Sequence, residues 1–275
     1  MASRTWFITG TSRGFGREWA LAALARGDRV VGTARDPSSM DDIAQQYGRD
    51  QFLPLQLDVT DRQADFEVVG RAQAHFGELD IVVNNAGYGH FGMVEELTEQ
   101  EFRDQIETNL FGAVWVTQAA LPYLRDRGRG HFLQVSSIGG ITAYPGIGAY
   151  HASKWGLEAI SQSLAQEVKE LGIHVTIVEP AGFSTDWAGS SSRHSQPLGA
   201  YDHVREVQEG RRAGNVPGDP LASAEAVLRV VDAQEPPLRV FFGTRPLPAI
   251  EAEYKARIEL WQEWNDVSAL AQGDN

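Results

Sequence analysis

The sequence predicts an α/β protein: a doubly wound parallel sheet of about seven strands, with helices on both faces, forming a single domain over residues 1–275. Three observations predict it. Short β-rich runs alternate with longer segments of helical periodicity. A glycine cluster stands directly between the first such run and the first helical segment. No Pro/Gly/Ser linker or internal repeat divides the 275 residues, a length within reach of one α/β domain.

The first strand is predicted at Thr5–Thr9 ("TWFIT"), followed by a helix over 14–26. Arg29–Ala34 and Phe52–Leu57 are the next strands, each leading into a helical pattern, at 38–47 and 61–76. Ile81–Asn84 precedes a long helix over 99–126, and His131–Ser136 precedes one over 150–171. His174–Glu179, a helix over 222–233 and Arg239–Phe242 complete the alternation. Such alternation implies parallel strands joined by right-handed crossovers. The segment 186–219, rich in Ser, Gly and Arg, breaks the rhythm and is read as a substrate-binding loop or lid. Residues 248–270 are read as a C-terminal helix. Its stripe of Ile250, Tyr254, Ile258 and Trp261 suits a core or subunit contact.

Composition narrows the function. The formal charge is 24 − 37 = −13, which argues against a nucleic-acid partner. The first 35 residues nevertheless carry six arginines against Glu18 and Asp28, as an end that receives a phosphorylated ligand would. The absence of cysteine excludes disulfides, thiolate catalysis and cysteine zinc sites, and the seven histidines show no metal-binding spacing. Only "MASRT" precedes the first apolar run, and no stretch reaches membrane-spanning length, so a cytoplasmic protein is expected.

"TGTSRGFG" (Thr9–Gly16) places Gly10, Gly14 and Gly16 between the first strand and first helix. Glycines there let backbone approach a pyrophosphate whose charge sits at the helix N-terminus. Thr11, Ser12, Arg13 and Phe15 belong to the same cofactor-binding turn. The second strand then chooses between dinucleotides. An acid at its end would accept from a ribose 2′-hydroxyl, as in NAD enzymes. Here Arg35 follows Ala34, and Arg13 can approach the same group, which suits the 2′-phosphate of NADP. Asp36 is the competing residue, but Pro37 after it suggests the start of a turn.

Four further motifs follow in order: Asp58-Val59 after the third strand, "NNAG" at Asn84–Gly87, "NLFG" containing Asn109, and "YHASK" at Tyr150–Lys154. With the glycine turn, they make the chain resemble the short-chain dehydrogenase/reductase family along nearly its whole length. The resemblance implies a Rossmann fold with a dinucleotide cofactor and a homodimer or homotetramer; Arg35 makes that cofactor NADP, with NAD less favoured. It implies that Asp58 and Val59 border the adenine, that Asn85, Ala86 and Gly87 border the cofactor, and that Lys154 binds the nicotinamide ribose. It also casts Asn109 as holder of a relay water.

Tyr150 and Lys154 are four apart on a helix, hence on one face. A free phenol has a pKa of roughly 10. A neighbouring ammonium, and the positive nicotinamide of an oxidised cofactor, are expected to lower that value and let the tyrosine exchange a proton with a carbonyl or alcohol oxygen. Tyr144 is the rival phenol, but four residues after it stands Gly148 rather than a lysine. Ser137, thirteen residues before Tyr150, is the serine expected to hold the substrate oxygen. Ser136 is expected to face the other side of the sheet, its hydroxyl met by backbone. After the sixth strand, "PAGFST" offers Pro180, Gly182, Phe183 and Thr185 to the nicotinamide, with Ala181 where the family commonly has glycine.

The implied activity is hydride transfer between NADP and a carbonyl or secondary alcohol. Arg35 and the long loop past Thr185 resemble the branch containing 17β-hydroxysteroid dehydrogenases. Tyr88, His90, Ile138, Tyr144 and Trp187 are expected in the substrate wall, whose aromatics suit a bulky, mostly apolar small molecule. No metal is expected. The alternative is a non-catalytic dinucleotide-binding sensor or scaffold of the same fold.

Overall fold

In the computed structural model, residues 3–185, 187, 189, 191–212 and 216–273 are described. The strands of the main sheet are β1 (Thr5–Thr9), β2 (Arg29–Ala34), β3 (Phe52–Gln56), β4 (Ile81–Asn84), β6 (Gly130–Val135), β7 (Ile173–Pro180) and β9 (Arg239–Phe242). They run parallel in the order β3-β2-β1-β4-β6-β7-β9. The order reverses between β1 and β4, so the chain departs in opposite directions from their carboxyl ends and leaves a crevice there. Pro54, unable to donate to a ladder, lies on β3 at the sheet edge. A second, two-stranded sheet pairs β5 (His90–Phe91) with β8 (Arg193–His194).

Strand alternation sorts the core into two layers. Trp6 and Ile8 of β1 point to the face covered by α1 (Gly14–Ala25), α2 (Asp41–Tyr47) and α8 (Pro220–Asp232), where Trp19, Ile43 and Val227 are buried. Phe7 points the other way, beneath α3 (Arg62–Phe76), α5 (Gly112–Arg127) and α6 (Gly148–Val168), with Val69, Val116 and Leu164. Both buried indoles are satisfied: Trp6 donates to Asp28 and Trp19 to Ser223, each at 2.8 Å.

Three expectations change in detail. The helix expected over 99–126 is α4 (Glu99–Ile106), a π-helical stretch over Glu107–Phe111, then α5. The wide turn is where Gly112 lies against Val59; a Cβ there would come within 2.7 Å of the valine side chain. The segment 186–219 contains β8 and the helix α7 (Asp202–Arg212). The lid expectation also falls on 186, 188, 190 and 213–215, which lie outside the described residues. The C-terminal helix is two, α9 (Pro246–Glu263) and α10 (Asn265–Gln272). Of its apolar stripe only Ile250 is buried; Tyr254, Ile258 and Trp261 are exposed on this chain.

One core position works against the fold. Asp65 of α3 is fully buried, and neither carboxyl oxygen has a hydrogen-bond partner. Burial first, then the charges of Asp61 and Asp58, push its pKa up to about 8. The folded chain therefore holds Asp65 protonated where the unfolded chain ionises it. This penalises folding progressively as pH rises from about 4 toward 8 and not below. Asp65→Leu is expected to raise the unfolding free energy from urea denaturation by about 2–4 kcal/mol at pH 7.5 and by little at pH 4. A pH-independent effect would contradict this account.

Candidate active site

The crevice at the carboxyl ends of β1, β4, β6 and β7 is a cleft of about 1150 Å³. Its floor at one end is the glycine turn. Gly10 and Gly14 have φ of +68° and +57°, open to glycine at little cost. Gly16 is needed for a different reason: a Cβ would lie 2.4 Å from the Gly10 carbonyl oxygen and 2.6 Å from Asn85 Nδ2. The α1 N-terminus carries no side-chain cap and no acid in its first turn, so its backbone N–H groups stay available to an anion. Asn85 Nδ2 donates to the carbonyls of Thr9 and Gly10 at 2.9 and 3.0 Å, and the Asn85 and Ala86 N–H groups donate to Thr9 Oγ1. The "NNAG" turn thus holds the glycine turn in place.

Along this half of the cleft stand Ser12, Arg13, Phe15, Arg35, Asp58, Val59 and Gly87. Thr11 and Gly16 do not line it. Thr11 is buried and its hydroxyl donates to the Ile8 carbonyl, so both residues shape the turn from behind. Asp36 is committed elsewhere: its carboxylate accepts from Ser38 N–H and hydroxyl at 3.0 and 2.8 Å, capping the turn Pro37–Met40. Across the cleft Pro180, Gly182, Phe183 and Thr185 follow β7. Phe183 packs edge-on to Phe15 at 4.9 Å. Ala181 continues the ladder, donating to the Phe242 carbonyl at 3.0 Å.

At the other end Ser137, Tyr150 and Lys154 converge. Ser137 caps the turn Ile138–Gly140, accepting from Gly139 N–H at 3.0 Å, and its hydroxyl faces the Tyr150 phenol. Lys154 donates to the Val135 carbonyl at 2.7 Å, and its Nζ lies 5.8 Å from the Tyr150 ring centroid. His151 completes the frame, pairing with the Gly139 carbonyl at 2.7 Å and accepting from Tyr144 N–H at 2.8 Å.

In the chain by itself the electrostatics run against the expected lowering by the lysine. Burial pushes the Tyr150 phenol up to about 12, with the Ser137 hydroxyl pulling the other way. Burial also draws the Lys154 ammonium down to about 8, opposed by the charge of Glu158. Removing both groups from water therefore outweighs any lowering of the phenol by the lysine. Ser136 departs too: its hydroxyl faces Glu158 and no backbone group meets it.

Asn109 sits in the π-turn, buried, and does not line the cleft. Its amide donates to the Tyr88 carbonyl at 2.9 Å and to Ser153 at 3.2 Å, and its Oδ1 accepts from Tyr88 N–H at 3.1 Å. It ties the loop after β4 to α6. His90, expected in the substrate wall, is buried behind it and pairs with Ser195 at 2.8 Å. Tyr88, Ile138, Tyr144 and Trp187 do line the cleft. Trp187 stacks edge-on against Tyr150 at 4.8 Å and rests on Gly89, where a Cβ would come within 2.5 Å of the indole. Residues from far along the chain, among them Gln208 and Ile250, join this wall. Gln208 belongs to the segment 186–219 read from the sequence as a substrate loop, whereas no local signal marks Ile250. Among the described residues no cluster of His, Cys, Asp or Glu could hold a metal ion, and no helix is long and apolar enough to cross a membrane.

Comparison with known proteins agrees with this geometry. Residues 4–196 match the family model for short chain dehydrogenases. The chain is 39% identical over 272 residues to Oxidoreductase BOA17 of Botryotinia fuckeliana, covering 97% of this chain and 98% of that one. The crystal structure of a short-chain dehydrogenase from Streptomyces avermitilis, 37% identical, superposes with a TM-score of 0.92 and covers 98% of both chains. An alcohol dehydrogenase from Thermococcus sibiricus, solved with 5-hydroxy-NADP, is 26% identical with a TM-score of 0.73, covering 88% of this chain and 96% of that one.

The glycine turn yields a contrast. Gly16→Ala is expected to lower stability by about 1–3 kcal/mol in urea denaturation, since its Cβ meets backbone on a rigid turn. Gly182→Ala, with open space around it, is expected to be nearly neutral. Equal effects would remove the packing argument.

Proposed function

The chain belongs to the short-chain dehydrogenase family, and from that premise we propose that it is an NADP-dependent carbonyl reductase or alcohol dehydrogenase. The observation that carries the reading is the convergence of Ser137, Tyr150 and Lys154 at one end of a cleft whose other end is the glycine turn. The residues fit a dinucleotide: Gly10 and Gly14, at positive φ, line a turn with no side chain of their own in the cleft, and the α1 N-terminus is open to a pyrophosphate. Arg35 and Arg13 border the position of a 2′-phosphate, and Asp36 is occupied in capping.

A bound nicotinamide supplies the hydride. The chain's own part is to move the proton. Ser137 holds the substrate oxygen beside the phenol, and Tyr150, neutral through the physiological range, donates to that oxygen in reduction. Lys154 secures the nicotinamide ribose, and Asn109 fixes the loop and helix around it. Tyr88, Ile138, Tyr144 and Trp187 form a largely aromatic wall suited to a bulky, mostly apolar substrate. A cytoplasmic homodimer or homotetramer belongs to the same reading; exposed Phe111, Trp155 and Ile160 near α5 and on α6 offer the apolar surface for it.

NADPH oxidation is followed with a panel of ketones, aldehydes and steroids. Turnover is expected with at least one class, and Tyr150→Phe is expected to reduce it at least 100-fold. Tight NADPH binding without turnover on any substrate would favour the non-catalytic sensor, and undiminished activity in Tyr150→Phe would sink the proton assignment.

Arg35→Ala addresses the cofactor separately. It is expected to weaken NADPH binding at least tenfold while leaving NADH nearly unchanged, as read by fluorescence titration. Equal losses would remove the NADP assignment.

A further inference from the structure

Behind the catalytic turn lies a group of buried charges that the proposed reaction does not use. Glu158 sits one helical turn past Lys154 on the same face of α6, and Glu179 lies at the end of β7; both are buried. Arg239 of β9 joins them. Its Nε lies 3.1 Å from Glu158 Oε2 and 3.4 Å from Glu179 Oε1, and its other arm donates to Gln162 of α6 at 2.9 Å. The remaining oxygen of Glu158 and Oε1 of Glu179 have no hydrogen-bond partner. Glu158 also presses on the turn that carries Ser137. A Cβ on Gly140 would lie 2.9 Å from Glu158 Cγ and 2.6 Å from Ser136 Oγ, so only glycine leaves room for the carboxylate.

Two buried carboxylates facing one guanidinium are costly for structure alone; replacing such groups with well-packed apolar residues is often neutral or stabilising. Their placement next to a buried lysine points to a second task. Tyr150 and Glu158 on its own helix are the titratable groups facing Lys154. Its other neighbours are neutral: the Val135 carbonyl of β6, Gly87 after β4 and the Asn109 amide of the π-turn. Glu158 in turn faces Lys154, Glu179, Arg239 and Ser136.

We infer that Glu158 is a positioning residue for Lys154: clamped by Arg239, it supplies the counter-charge that keeps the buried ammonium protonated and braces the turn presenting Ser137. The electrostatics run the same way. Burial draws Lys154 down to about 8, and the charge of Glu158 raises it; burial pushes Glu158 upward, and Arg239 and Lys154 lower it. Glu179 is pushed up to about 8 by burial and then by the charge of Glu158, and the Arg239 Nε lies nearer Glu158 than Glu179, at 3.1 against 3.4 Å, so the guanidinium favours the charge on Glu158. The inference rests on the proton-handling reading of Tyr150 and Lys154, but it can be tested without turnover.

The sequence holds three lysines, Lys154, Lys169 and Lys255. Lysine labelled with ¹³C at Cε therefore gives three resonances, and the one missing in Lys154→Met belongs to Lys154. In Glu158→Gln the Lys154 midpoint is expected to fall by about 0.5–1 pH unit, with Lys169 and Lys255 unmoved. Arg239→Gln, altered at the half-exposed end of the cluster, is expected to move it in the same direction by freeing Glu158 to protonate. It serves in place of Glu158→Gln if that variant does not fold. A folded variant of either kind with an unshifted Lys154 midpoint would overturn the inference. Loss of the proposed reading, shown by an active Tyr150→Phe, would leave the titration shift standing, so the two failures are distinct.

Discussion

The Lys154 ammonium donates to the Val135 carbonyl at 2.7 Å, in the last residue of β6, and the arrangement of the site depends on that bond. It fixes α6 against the carboxyl end of the sheet where the crevice opens. A helix held there by its lysine carries Tyr150 one turn earlier into the cleft and Glu158 one turn later into the buried cluster. The next residues of the β6 strand-end, Ser136 and Ser137, then divide between the two sides. One hydroxyl meets Glu158 and the other the phenol. A single helical face thus links cleft and interior, and the four-residue period of the helix explains why.

The same logic extends outward through backbone rather than side chains. Asn109 accepts from and donates to the backbone of Tyr88, and its amide reaches Ser153, whose hydroxyl donates to the Tyr150 carbonyl at 2.7 Å. The π-turn makes this possible, because it moves Asn109 off the regular helical register and into the loop after β4. His151 does the equivalent for the turn after β6 and the loop at Tyr144. The Tyr150 phenol is thereby surrounded by elements each tied to another by a buried hydrogen bond. Such overdetermination is what a proton-transferring group needs.

The sheet was legible in the sequence because parallel strands buried on both faces read as compact apolar runs, and each predicted strand of the main sheet appears within about a residue. The glycine turn was legible because φ and close approach leave few alternatives at Gly10, Gly14 and Gly16. What the sequence hid has physical causes as well. α7, "DHVREVQEGRR", carries only Val204 and Val207 as large apolar residues, so it shows no stripe. The break between α4 and α5 has no proline or glycine at its start to announce it. Glu158, Glu179 and Arg239 are far apart in the chain and meet only through the β7–β9 pairing. His90 was expected in the substrate wall because nothing local shows that Ser195, 105 residues on, comes to it behind that wall.

Burial acts on the two proton-handling groups with opposite arithmetic and one outcome. It raises a phenol and lowers an ammonium, so each is drawn toward its neutral form. In the proposed reduction that is an advantage for the phenol, because the proton it would deliver stays on the oxygen. For the lysine it is a threat, because a neutral amine has lost one of the N–H donors with which it is proposed to bind the ribose hydroxyls. A fold that buries both must therefore add a negative charge near one and keep it from the other. Glu158 fits that requirement: it opposes the shift of Lys154, while burial and the Ser137 hydroxyl are what shift Tyr150. The helix separates the two by placing them on opposite sides of the lysine.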